Sequence, residues 1–231
     1  MPLKPHHDVA PGYAALLFDM DGTLLNSIPA AERIWSRWAR RHGLDPQALL
    51  PTIHGKRAVD TVAQLGLPGI DPQAEAAGIT QDEIEDVEGV VAIPGALDFL
   101  QSLPPDRWAI VTSAPIALAR RRMEAAGIPM PAVLVTAEDV QRGKPDPTCY
   151  HVAASRLGVN AADCLIFEDA PAGIEAGERA GRAVVVITAT HEHPMATSHA
   201  CIASYEEIIV DHDAQGMRVV ARNPQGSHGT L

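Results

Sequence analysis

The segment Ala14-Ala15-Leu16-Leu17-Phe18-Asp19-Met20-Asp21-Gly22-Thr23 constrains this chain more than any other. The apolar run 14–18 reads as a buried strand, and it stops on a carboxylate. A second carboxylate follows two positions later. In extended backbone the side chains at i and i+2 point to the same side, so Asp19 and Asp21 can share one pocket. Two carboxylates that close repel, and one takes up a proton unless a cation sits with them. Mg²⁺ suits such a pair, because it prefers hard oxygen ligands and binds through one or two carboxylates plus a phosphate. The plainer account of the same residues is a strand that ends in an Asx turn, with Gly22 making the bend.

Hydrophobic residues make up 46% and charged residues 20% of 231 positions, which suits one core or a core with a smaller insertion. The formal net charge of −11 argues against a nucleic-acid surface, which needs Lys and Arg against phosphates. No apolar run approaches the ~18 residues of a membrane span. The opening residues, MPLKPHHDVAPGY, lack the apolar segment of a secretion signal. Cys149, Cys164 and Cys201 are widely spaced in apolar settings, as in a reduced protein with packed thiols. A cytoplasmic chain, without membrane or nucleic-acid partners and monomeric or weakly dimeric, is the expectation.

After Asn26 the period changes. Ile28, Ala31, Ile34, Trp35, Trp38 and Ala39 recur at helical spacing, with Pro29 in the first turn and Gly43 as a stop. Asp45-Pro46 opens a short helix and 58–65 reads as another, ending at Gly66. Residues 66–79 read as a loop or weak helix, and 80–87 as a helix with a capping box from Thr80 to Glu83. No strand-like run occurs between 26 and 89, so 26–91 is expected to be an all-helical insertion. Strand-like runs at 108–112, 132–136, 164–167 and 183–187 then alternate with helical stretches at 116–126, 147–157 and 172–180. This predicts an α/β fold with a Rossmann-like parallel sheet, its core formed by 13–25 and 92–222, and mobile tails at 1–12 and 223–231. Near the end, a polar loop at 188–200 leads to a short strand around Cys201. A possible edge strand at 217–221 pairs with 208–210.

Ligands of such sheets bind beyond the carboxyl ends of the strands. Asp19, Thr112 and Glu168 each lie at such an end, so they converge on one crevice. The four segments at these ends, Asp19-Met20-Asp21-Gly22-Thr23-Leu24, Val111-Thr112-Ser113, Gly143-Lys144-Pro145-Asp146-Pro147 and Phe167-Glu168-Asp169, resemble the four ordered motifs of the haloacid dehalogenase-like hydrolases. The resemblance covers residues 14 to about 190. It implies a phosphatase in which Asp19 is the nucleophile and Asp21 the acid/base. Thr112 and Ser113 would hold phosphate oxygens, and Lys144 would steady Asp19 and the transferring phosphoryl. Mg²⁺ would sit with Asp19, the backbone carbonyl of Asp21 and Asp169, and Glu168 would act on it directly or through a neighbour.

The insertion would then be a helical cap. Its segment from Ala31 through Lys56 resembles sugar phosphatases of this family, relatives of the 2-deoxyglucose-6-phosphate and glycerol-phosphate phosphatases. There a His-Gly-Lys turn, here His54, Gly55 and Lys56, helps choose the substrate, a small-molecule phosphate ester. Arg57 stands beside that turn as either a substrate contact or a solvated residue. Trp35 and Trp38 sit on the apolar stripe and read as cap core rather than a sugar platform. Arg142 and the loop histidines His191, His193 and His199 read as solvent-facing. A sugar phosphomutase resembling β-phosphoglucomutase would keep the same motifs. A non-catalytic binding protein on this scaffold would lose Asp19, Asp21 or Lys144, and all three are present.

Overall fold

The computed structural model describes residues 12–181, 183–213, 216–222 and 229–230. The chain enters through β1 (Ala15–Phe18) and β2 (Leu25–Asn26). A helical segment follows: α1 (Ile28–Arg41), α2 (Pro46–Leu49), α3 (Ala58–Leu65) and α4 (Pro72–Glu85). The chain returns through β3 (Val91–Ala92), which pairs antiparallel with β2. Strands and helices then alternate as α5 (Ala96–Gln101), β4 (Trp108–Val111), α6 (Ile116–Ala126), β5 (Val133–Val135), α7 (Thr148–Arg156), β6 (Cys164–Glu168), α8 (Pro171–Ala180), β7 (Ala183–Ile187) and β8 (Ala200–Ile202). The last strands are β9 (Ile208–Asp213), β10 (Gly216–Ala221) and β11 (Gly229–Thr230).

The main sheet has six parallel strands in the order β5-β4-β1-β6-β7-β8. β1 sits between β4 and β6, in register Leu16↔Trp108 and Leu16↔Leu165. Alternation along these strands divides the core in two. Leu16, Phe18, Ile110, Leu165 and Phe167 face α5 and α6. Ala15, Leu17, Val111, Cys164 and Ile166 face α7 and α8. Strands covered on both faces have no polar side to show, which is why they read as continuous apolar runs. Phe18 and Phe167 stack with ring centroids 4.6 Å apart, pinning β1 to β6 just below Asp19 and Glu168.

A third apolar cluster lies within the helical insertion, where Ile34, Trp35, Trp38, Leu49, Val62 and Ile79 meet. Both tryptophans are buried there, as their stripe predicts, although Trp35 also reaches the cavity described below. One helix begins earlier than expected. α4 starts at Pro72 with the Asp71 side chain accepting from the Gln73 N–H, so Thr80 lies mid-helix and caps nothing. Asp-Pro is a strong start signal, and Ala74, Ala76 and Ala77 favour helix enough to carry Gly78. The expected capping box is therefore an interior stretch of one longer helix.

Cys149 and Cys164 are buried as expected, whereas Cys201 is exposed. The expected hairpin near the C-terminus is present as β9 and β10 and is longer than foreseen, with Met217 opposite His212 and bridged to Tyr13. Of the tails read as mobile, 1–12 and 223–231, all but Gly12, Gly229 and Thr230 lie outside the described residues. Gly229 and Thr230 pair with Ala221 and Val220 as β11, so that part of the tail adds a strand. Among the described residues no helix is long and apolar enough to cross a membrane. Phe18 is fully buried against Phe99, Trp108, Phe167 and Tyr205. Phe18→Ala should lower unfolding stability by about 3–5 kcal/mol in a denaturant titration, the usual effect of emptying an aromatic core site.

Candidate active site

β1 ends in the middle of the sheet, and the Asp19 N–H still donates to the Phe167 carbonyl at 2.9 Å. That bond sets Asp19 beside the end of β6, where Glu168 and Asp169 emerge. Carboxylate oxygens of Asp19, Glu168 and Asp169 lie within 4.8 Å of one another, and all three residues are buried. Lys144, also buried, reaches between them from the loop after β5. Its Nζ donates to Asp19 Oδ1 at 2.5 Å, to Glu168 Oε1 at 2.6 Å and to the Val111 carbonyl at 3.1 Å. Gly22 has φ +89°, and any side chain there would run into the Asp169 carboxylate.

Three acids share one lysine, so the cluster carries excess negative charge out of water. Burial pushes the Asp19 carboxyl up to about 8 despite the pull of Lys144, and burial likewise raises Asp169 far above the ordinary carboxylate range. Burial penalises the Lys144 ammonium too, yet Asp19 and Glu168 outweigh this and leave it raised and charged. A cluster of hard oxygen donors with unspent charge fits a divalent cation. The donors are unequal. Glu168 Oε1 already accepts from Lys144 and from Tyr150 Oη at 2.6 Å, and its Oε2 accepts from the Asp169 N–H at 3.1 Å. Among the described residues the Asp169 carboxylate accepts from Thr23 Oγ1 alone, at 3.2 Å, and keeps more lone pairs for an ion.

Asp21 lines the same cavity as Asp19, as the two-residue spacing predicts, but its carboxylate turns away from the acid cluster. Asp21 Oδ1 accepts from Ser27 Oγ at 2.6 Å and from Arg122 Nη1 at 2.8 Å. Arg122 Nη2 in turn lies 3.1 Å from Glu83 Oε1 on α4. Asp21 could therefore serve a cation only through its backbone. Thr112 ends β4, its Oγ1 accepting from the Ala114 N–H at 3.0 Å and lying 3.5 Å from Asp21 Oδ2. Ser113 Oγ donates to the Gly55 carbonyl at 3.0 Å, so this hydroxyl is engaged with the helical insertion.

His54, Gly55 and Lys56 all line the cavity from the insertion side, together with Trp35 and Glu83. Burial lowers the pKa of His54, against the pull of Glu32 3.5 Å away. Gly55 has φ +74° and packs so close to Ala170 that a Cβ would collide. Arg57 pairs with Asp60 and donates to the Gln141 carbonyl at 3.1 Å, which clips the insertion to the loop that carries Lys144. Arg142 is exposed, as expected, and pairs with Asp146. Two of the three histidines of the later loop differ from expectation. His193 faces solvent, whereas His191 meets the Asp169 carbonyl at 2.9 Å and His199 meets Glu178 at 2.7 Å.

Three residues of this site escape the sequence reading: Tyr150, Glu83 and Arg122. Tyr150 lies in a helix with no motif to mark it. The other two left a signal, because Glu83 continues the buried stripe Ala76-Ile79 and Arg122 stands four residues after Leu118 and beside Met123. A charged residue on an apolar stripe needs a buried partner. Each of these two is the other's partner.

The family model for haloacid dehalogenase-like hydrolases matches residues 13–181. Hexitol phosphatase A of Escherichia coli is 42% identical over 205 residues, covering 87% of this chain and 95% of the relative. The 2-deoxyglucose-6-phosphate phosphatase 2 of Saccharomyces cerevisiae is 31% identical, covering 90% of this chain and 95% of the relative. The crystal structure of a hydrolase from Pseudomonas syringae superposes with a TM-score of 0.66 at 27% identity, covering 76% of this chain and 84% of that one.

The excess acid gives a pH dependence with a definite sign. The buried acid cluster, with Asp19 raised by desolvation, keeps a proton in the metal-free folded protein that the unfolded chain has released above about pH 4. The folded state binds more protons there, so its stability should fall as pH rises from about 4 to 8. Denaturant unfolding in EDTA across that range reads the slope, and saturating divalent cation should flatten it.

Proposed function

Because the chain belongs to the haloacid dehalogenase-like hydrolases, we propose that it is a Mg²⁺-dependent phosphatase that hydrolyses small sugar or polyol phosphate monoesters through an aspartyl-phosphate. The observation that carries this reading is the buried Asp19, held at 2.5 Å by Lys144, with Asp21 lining the same cavity under a helical cap. The substrate class is supported by the relatives, which are named as phosphatases of hexitols and of 2-deoxyglucose 6-phosphate.

The geometry supports the following roles. Asp19 attacks phosphorus in line, and the bond from phosphorus to the alcohol oxygen breaks as the Asp19–phosphorus bond forms. Lys144 keeps the attacking carboxylate in one orientation and places positive charge beside the oxygens on which charge develops. Thr112, fixed by its bond from the Ala114 N–H, offers its hydroxyl proton to a phosphoryl oxygen. The leaving alcohol takes a proton from Asp21. Asp21 then removes a proton from the water that attacks the phospho-enzyme, phosphate departs, and Asp19 is restored.

Mg²⁺ held by Asp19, Asp169 and the Asp21 backbone carbonyl would supply charge that offsets repulsion between carboxylate and phosphoryl group. Glu168, occupied by Lys144 and Tyr150, is assigned to holding the lysine and orienting Asp169 rather than to direct ligation. From the cap, Lys56 and His54 line the cavity and are assigned to the alcohol part of the substrate.

Phosphate release from a panel of hexose, hexitol and glycerol phosphates with Mg²⁺ tests the reading. Asp19→Asn should abolish release on every substrate. Asp21→Asn should slow it by about 10²–10⁴-fold, the usual contribution of a general acid or base. Lys56→Ala should raise KM more than it lowers kcat. Conversion of one sugar phosphate to its isomer without phosphate release would replace the phosphatase with a mutase.

A further inference from the structure

We propose that Arg122 is a positioning residue for Asp21, and that Glu83 of the cap holds Arg122 in place. The inference rests on the phosphatase reading, in which Asp21 is the acid/base. Arg122 comes from α6 of the core and Glu83 from α4 of the cap, and each side chain is more than nine-tenths buried. The guanidinium spans the two elements, with Nη1 at 2.8 Å from Asp21 Oδ1 and Nη2 at 3.1 Å from Glu83 Oε1. A planar fork with fixed donors sets direction as well as charge, which a lysine ammonium would not.

The arrangement distinguishes the two oxygens of Asp21. Oδ1 is filled by Ser27 and Arg122, while among the described residues Oδ2 has only Thr112 Oγ1 at 3.5 Å, too long to hold it. Oδ2 is therefore the oxygen left for the proton that travels to and from the substrate. Without Arg122, Ser27 alone would hold Oδ1, and the carboxylate could rotate about a single bond. Glu83 is buried on α4 of the cap and lines the same cavity as Trp35 and Asp21. The line Glu83, Arg122, Asp21 thus runs from the cap to the acid/base. Asp21 is braced from both sides only while the cap covers the sheet.

A buried pair that merely neutralises itself would affect all substrates alike, so the test compares leaving groups. An alkoxide needs a proton as it departs, whereas p-nitrophenolate leaves without one. The ratio of kcat/KM for the best sugar or polyol phosphate of the panel to that for p-nitrophenyl phosphate therefore reads the acid alone. Arg122→Met should lower this ratio by about tenfold or more, part of the 10²–10⁴-fold a general acid supplies. Asp21→Asn marks the full drop, and Glu83→Ala should lower the ratio less than Arg122→Met.

Because Arg122→Met strands the Glu83 charge, Glu83→Gln/Arg122→Met removes both charges and should show the same fall in ratio with a restored melting temperature. Equal losses on both esters, or an unchanged ratio, would overturn the role of Arg122. A changed ratio in Arg122→Met with none in Glu83→Ala would overturn the part given to Glu83. Wild-type protein that releases phosphate from neither ester would overturn the phosphatase reading, and the inference with it.

Discussion

One ammonium group holds this site together. Lys144 Nζ, buried, touches Asp19, Glu168 and a strand carbonyl at once and so joins the ends of three different strands. Taking charges out of water is costly, and a buried pair is tolerated only when geometry and extra hydrogen bonds are good. Here the extra bonds come from Tyr150 and the Asp169 N–H, both onto Glu168. The rest of the fold can be understood as what keeps these groups in place. The stacked rings of Phe18 and Phe167 lie directly beneath the two acids that Lys144 bridges.

The cap is tied to that core by polar contacts at its rim and by one buried charge pair inside. Ser113 to Gly55 and Arg57 to Gln141 hold the edges, and Arg122 to Glu83 crosses the interior. All three contacts join cap residues to loops or helices that also carry site residues: Thr112 beside Ser113, Lys144 beyond Gln141, and Asp21 against Arg122. Seating the cap and shaping the site are thus the same event.

Much of the site was legible because each motif combines an apolar run with a charge that the run cannot accommodate. Leu17-Phe18-Asp19 and Ile166-Phe167-Glu168-Asp169 declare themselves in this way, and the even spacing of strands and helices declares the sheet. The misreadings have physical causes. α4 spreads its apolar residues around its surface, so periodicity located only its second half, although Asp71-Pro72 marked the start. His191 and His199 were read as solvent-facing because a loop gives no period, and their partners, the Asp169 carbonyl and Glu178, come from elsewhere in the chain.

The sequence by itself determined the order of elements, the strand ends that bear acids, and the lysine that answers them. These follow from local pattern and from the cost of leaving a charge at the end of a buried strand. Only the tertiary structure decided which charge neutralises which. Asp21 and Arg122 are 101 residues apart and Glu83 lies on a third element, so their meeting depends on how the cap settles on the sheet. The division of labour between Glu168 and Asp169 was decided in the same way. Adjacent acids look alike in sequence, and only the placement of Tyr150 and Lys144 makes one a support and leaves the other open.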